Sequence, residues 1–173
     1  MEHTERSADT GVRKDLRKLA ELIEEAEVGM LTTRDLDGTL RSRPLATLQV
    51  TNDGELWFFT SIKSPKIREL DEDNRVNLSY ARPSDQIYAS VSGRARILRD
   101  PEKAKALWTP WAKVWFPDGP DDPELVLVNV RVEKAEYWDS PDTAVGRTIS
   151  LLKALTSDEG EEAVGENRKI DLR

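Results

Sequence analysis

The sequence predicts a mainly β domain with peripheral helices, an α+β protein built on a six-stranded antiparallel barrel. Three observations carry that expectation. Apolar residues alternate over several runs of strand length, Asp-Gly turn signals separate the early runs, and helical spacing is confined to the chain ends and to short proline-capped inserts. An α+β sandwich is the alternative arrangement of the same elements. No linker-like stretch divides residues 12–156, which read as one domain between a flexible N-terminus (1–11) and an acidic tail (157–173).

From Val12 to Ala26, Leu16, Leu19, Ala20 and Ile23 recur at helical spacing among charges, which predicts an amphipathic opening helix. Val28 to Thr33 is a short strand, and Asp37-Gly38 turns the chain into a second strand from Thr39 to Val50. Asn52-Asp53-Gly54 reverses it again into Glu55–Thr60. Leu56, Trp57, Phe58 and Phe59 make that strand apolar on both faces, so it requires cover on both sides. These three strands are expected to be consecutive antiparallel neighbours. Ser64 suits an N-cap and Pro65 the first helical position, which predicts a short helix reaching Glu72.

Val76, Leu78 and Tyr80 alternate as a further strand. Beyond the Arg82-Pro83-Ser84-Asp85 turn, Ile87, Ala89, Val91, Gly93, Ala95 and Ile97 keep one parity, giving a long strand with a bulge at Gly93. Asp100-Pro101-Glu102 starts a helix by cap logic, with an acid in its first turn. Trp108, Trp111 and Trp115 share one face if the backbone stays helical, but Pro110 breaks or kinks that segment. Pro117 to Pro123 is a loop by composition, and Leu125 to Trp138 alternates as a final long strand. Ser140-Pro141-Asp142 is a third cap, followed by Val145, Ile149, Leu152 and Leu155 at helical spacing. The tail beyond Thr156 reads as weakly ordered and able to lie along a partner subunit.

Composition removes several functions. Among 173 residues, 26 Lys+Arg face 33 Asp+Glu, a net charge of −7 with the cations scattered among acids, which argues against nucleic acid as a partner. No apolar run approaches the roughly 20 residues of a membrane-spanning helix, and the polar N-terminus carries no secretory signal, so a soluble cytoplasmic protein is expected. The absence of cysteine excludes disulfides, thiolate metal sites and thiol nucleophiles. His3 is the sole histidine, which leaves no material for a Ser-His triad or a multi-histidine metal centre. Chemistry here therefore calls for an organic cofactor.

The junction at 60–66 brings together the hydroxyls of Thr60, Ser61 and Ser64, Lys66 and the free N–H groups of a helix start. That grouping suits a phosphate: amides and hydroxyls donate hydrogen bonds and the lysine supplies charge. The same residues also read as an ordinary Ser-Pro cap with surface lysines, which is the commoner occurrence. In Arg41-Ser42-Arg43-Pro44-Leu45, both arginines point to one strand face, and Pro44 implies an unpaired strand position or a bulge. They await an anionic or carbonyl-rich partner, or simply face solvent. Of the five tryptophans, Trp108, Trp111 and Trp115 suit a pocket wall or a subunit contact, and Trp138 could stack on a flat ring; core burial is open for each. Neither GxGxxG nor GxxxxGK[ST] is present, and the acid pairs lie in turns or tails.

The ordered series GMLTT, a DG turn, RSRPL, DGELWFFTS, SPKIREL, VNLSY, SVSGRARIL, DPEKAKALW, WFPDGPDDP and AEYWDSP resembles the general stress protein type of the pyridoxamine 5′-phosphate oxidase-like superfamily over residues 12–140. The resemblance implies a split β-barrel that binds FMN at a homodimer interface. It implies that Arg43, Pro44 and Leu45 meet the flavin ring and its phosphoribityl chain, that Phe59, Thr60 and Ser61 touch the flavin from a strand end, and that Ser64 and Lys66 hold the phosphate. Tyr88, Trp108, Trp111 and Trp138 of the other subunit are implied to close over the ring. The implied activity is a flavin-dependent oxidoreductase reduced by NAD(P)H, with a non-catalytic flavin-binding stress protein and a deazaflavin-dependent reductase as alternatives. The oxidase of vitamin B6 synthesis carries a C-terminal cluster with arginine and histidine; here Trp138 is followed by DSPDTAVGR, without histidine, which argues against pyridoxamine phosphate oxidation and against histidine-dependent haem degradation.

Overall fold

The computed structural model describes residues 2–139 and 166–173. Helix α1 spans Glu2–Ala26, starting ten residues earlier than the apolar spacing requires. Extending a helix already nucleated on a buried stripe is easier than starting one, and this offsets the cost of Gly11, about 1 kcal/mol. Leu16, Leu19, Leu22 and Ile23 bury that stripe in the main core. The helix stops at Glu27, which takes the left-handed conformation (φ 60°) while its N–H bonds Ile23 O at 2.9 Å.

Eight strands form one antiparallel sheet among the described residues: β1 (Val28–Arg34), β2 (Leu40–Ala46), β3 (Gln49–Val50), β4 (Glu55–Ser61), β5 (Arg75–Arg82), β6 (Ile87–Leu98), β7 (Leu125–Asp139) and β8 (Glu166–Asp171). Their order is β2-β1-β5-β6-β7-β4-β3, with β8 beside β7. The expected strand from Thr39 to Val50 is therefore two strands. The break is at Thr47-Leu48, where Thr47 N–H still bonds Glu27 O next to β1 while Leu48 N–H already bonds Trp57 O on β4. The three early strands are thus not simple neighbours, since β4 pairs with β3 and β7.

This break defines the architecture. β2 and β3 sit at opposite ends of the strand order yet are consecutive in the chain, so the sheet must curl until its two edges approach. The result is a split β-barrel, as expected, and Pro44 lies on an edge strand where its missing N–H costs no ladder bond. Tyr80 Oη bonds Thr47 Oγ1 at 2.9 Å at the crossing, and Gly29 leaves room for the Tyr80 ring, which a Cβ there would meet at 2.7 Å. Burial pushes the Tyr80 hydroxyl well above its ordinary pKa.

The predicted bulge is present: register slips between Ser92 and Gly93 against β7, and a Cβ on Gly93 would fall 2.1 Å from Arg131 O. Phe58 joins the main core, while Phe59, on the opposite face, joins a second core with Ala104, Ala112, Phe116, Leu125 and Leu127. Strand β4 is thus covered on both sides, as its sequence requires. Cover comes from α3 (Pro101–Ala106), capped by Asp100 through Lys103 N–H at 2.9 Å, and from a 3₁₀ turn over Pro110–Val114. The three tryptophans consequently do not share one helical face.

The described end of the acidic tail, residues 166–173, carries a strand of the chain's own sheet where a weakly ordered segment is expected. β7 extends past β4, whose pairing ends at Arg131, and β8 fills the vacated edge along residues 134–139 with Ile170 buried. The helix expected after Ser140 lies outside the described residues. Among the described residues no helix is long and apolar enough to cross a membrane.

Candidate functional site

A cleft of about 510 Å³ opens where the barrel is split. One wall is the β1–β2 edge, with Val28, Pro44, Leu45 and Ala46. The other is the end of β4 and the turn after it, with Phe59, Thr60, Ser61, Ser64 and Lys66, and the 3₁₀ segment closes it with Trp111, Ala112, Trp115 and Phe116. Its size lies within the roughly 300–1,000 Å³ of small-molecule sites.

The polar end is built by helix α2 (Lys66–Glu72). Ser64 does not cap this helix through its side chain as expected. Lys66 Nζ instead donates to Ser64 Oγ at 2.7 Å and to Thr60 Oγ1 at 2.8 Å. Among the described residues no carboxylate lies within 4 Å of this ammonium. Burial, and then Arg43 nearby, lower the Lys66 pKa, while Glu69 opposes them. Ser61 Oγ accepts from Lys63 N–H at 3.2 Å, and Lys63 pairs with Glu124 at the rim.

Beside the cleft lies a second charged group. Register places Arg43 opposite Leu31 and Arg41 opposite Thr33, so both arginines face inward at the open end of the barrel rather than solvent alone. Glu69 of α2 meets them there with only 2% of its surface exposed. Its Oε2 accepts from Arg43 at 2.7 Å and from Thr33 at 2.5 Å, and Arg43 also donates to Thr33 Oγ1. Arg41 pairs with Asp35 at 3.0 Å and approaches Glu69 Oε1 at 3.6 Å.

The residues singled out from sequence thus fall into three groups. Pro44, Leu45, Phe59, Thr60, Ser61, Ser64, Lys66 and Trp111 converge on the one cleft. Trp111 reaches it within its own chain, whereas the resemblance assigns it to the other subunit. Arg43 stands beside the cleft, tied to Glu69, and Trp108 packs against Phe59 at 5.9 Å between ring centroids, behind the wall. Tyr88 and Trp138 face each other across β6 and β7, partly exposed and outside the cleft lining. Trp115, which the sequence offers for a pocket wall, also lines the cleft, whereas Val28, Ala46, Phe116, Thr33 and Glu69 are not legible there as site residues. Glu69 had a signal: it falls between Ile67 and Leu70, both buried, on the face of α2 that turns inward. Among the described residues no cluster of acids and histidine could hold a metal ion.

Residues 14–162 match the family described as pyridoxamine 5′-phosphate oxidase like. The protein bli-3 of Neurospora crassa is 30% identical over 159 residues, covering 85% of this chain and 76% of its own. A general stress FMN/FAD-binding protein of Xanthomonas citri superposes with a TM-score of 0.65 at 28% identity, covering 75% of this chain and 92% of that one. A Clostridium acetobutylicum protein related to general stress protein 26 shares the fold, with a TM-score of 0.68 at 18% identity over 92% of this chain and 96% of that one. The chain belongs to the pyridoxamine 5′-phosphate oxidase-like family, among relatives of the general stress protein type.

Proposed function

We propose that the cleft binds FMN and that the protein is a flavin-dependent oxidoreductase reduced by NAD(P)H. The observation that carries this reading is the donor set at Lys66. A half-buried ammonium whose hydrogen bonds go to two neutral hydroxyls, Thr60 and Ser64, is a cation without a close counter-charge at the end of an apolar cleft. A phosphate supplies that counter-charge. The apolar walls of Leu45, Phe59 and Trp111 suit a flat ring attached to it. Similarity to a Xanthomonas citri protein named as FMN/FAD-binding supports a flavin.

Bound flavin would supply hydride or electron transfer. The chain's own residues bind and orient it: Lys66 supplies charge opposite the phosphate, Thr60 and Ser64 donate hydrogen bonds to it, and Trp111 and Trp115 limit water at the ring end. Arg43, fixed by Glu69 and Thr33, adds positive potential beside the cleft. A homodimer belongs to the same reading. Val28, Met30, Tyr88 and Trp138 lie on one outer face of the sheet and are each 39–47% exposed, an apolar strip that borders the cleft at Val28.

The visible spectrum of the purified protein, the mass of the molecule released on denaturation, and an FMN titration of the apoprotein test the cofactor. A flavin spectrum with FMN mass is expected. A deazaflavin spectrum would replace the cofactor, and a colourless protein that ignores FMN would overturn the reading. Anaerobic mixing with NADH or NADPH should bleach the flavin, and no bleaching would leave a binding protein without that turnover.

A further inference from the structure

We propose that Glu69 is a positioning residue for the cationic end of the cleft, holding Arg43 beside Lys66 and supplying the charge that lets the two cations coexist. The inference rests on the FMN reading above. Glu69 is a fully buried carboxylate on a seven-residue helix, and buried carboxylates persist only when paired. Its Oε2 takes both available donors, Arg43 and Thr33, which ties α2 to the β1–β2 edge. These are one wall of the cleft and the helix that carries its polar end. Oε1 has no hydrogen-bond partner among the described residues and lies 3.6 Å from Arg41.

Lys66 stands one helical turn before Glu69 on the same helix. The charged groups that act on its ammonium are Arg43, from β2, which repels it, and Glu69, from α2, which stabilises it. Glu69 therefore does two things with one carboxylate: it fixes where the Arg43 charge sits, and it compensates that charge at Lys66. Without it, Arg43 would still press on a half-buried ammonium that has only hydroxyls for partners.

The test is the ratio of riboflavin to FMN dissociation constants between neutral pH and the lysine range, for the wild type, Glu69→Gln and Glu69→Gln/Arg43→Gln. The ratio isolates the phosphate contribution and cancels ionisation of the ring. In the wild type it should hold steady and then fall as Lys66 loses its proton. In Glu69→Gln the fall should begin about one pH unit lower, a typical effect of losing a nearby opposite charge, and adding Arg43→Gln should return it towards the wild-type position. A ratio that drops at every pH with its bend unmoved would make Glu69 a structural strut and overturn the proposal. If Glu69→Gln does not fold, Arg43→Gln alone should move the bend to higher pH, and an unmoved bend would overturn the proposal equally. A wild type that binds neither riboflavin nor FMN would instead overturn the flavin reading and this inference with it.

Discussion

Replacing Lys66 by Met should weaken FMN binding and at the same time leave the apoprotein as stable or more so. The methionine keeps an unbranched stem in the cleft wall while removing the ammonium. A hydrogen bond to a charged group contributes about 1.5–3 kcal/mol, so its loss corresponds to about a 10- to 150-fold weaker FMN complex. Thr60 and Ser64 remain to donate to the phosphate, which keeps the expected loss within that range. Riboflavin, lacking phosphate, should bind both proteins alike. The stability sign follows from linkage. The folded-state pKa of Lys66 lies below its ordinary 10.5, so between the two values the unfolded chain binds more protons. Stability therefore rises with pH across that window, and at neutral pH the buried ammonium is a cost that Met removes. Fluorescence titration with each ligand and thermal unfolding of the apoproteins measure both halves. Equal loss for riboflavin and FMN, or a large fall in melting temperature, would refute the assignment of Lys66 to the phosphate.

Three further outcomes follow from the fold. Gly93→Ala should destabilise the protein by about 3 kcal/mol or more, because its Cβ would meet the Arg131 carbonyl at 2.1 Å and the bulge must rearrange; denaturant melts measure this. Glu27→Gly should stabilise by up to about 1 kcal/mol by relieving a left-handed residue at the end of α1, read from the same melts. Asp171 should titrate near its low value of about 2 by NMR, because Arg173 holds its carboxylate ionised, and Arg173→Gln should return it towards 3.8. Its contribution to stability is complete above the ordinary carboxylate pKa and is lost as the pH falls through about 2.

Local chemistry made much of the fold legible. The spacing of Leu16, Leu19, Ala20 and Ile23, the Gly38 and Gly54 turns, the Asp100-Pro101 cap and the Gly93 bulge each depend on residues close together in the chain, and each appears as expected. What escaped depends on where strands end relative to one another. The break at Thr47-Leu48 follows from curling the sheet, and β8 exists because β7 outlasts β4; neither is encoded in a local pattern. The site divides in the same way. Thr60, Ser61, Ser64 and Lys66 lie within seven consecutive positions, so their convergence could be read directly. Glu69 and Arg43 are 26 positions apart, and their union required α2 to be laid against the β1–β2 edge. Tyr88 comes from the family resemblance, and Trp138 from both that resemblance and its position at a strand end; their place on the outer face beyond the cleft lining follows from strand register alone.

The most direct test of the central claim is a crystal structure of the chain with FMN. The phosphate should lie within hydrogen-bond distance of Lys66 Nζ and of the Thr60 and Ser64 hydroxyls, with the ring along the Leu45–Phe59 wall next to Trp111. A flavin bound elsewhere on the barrel, or a phosphate held by other cations while Lys66 keeps its two hydroxyl partners, would contradict the account.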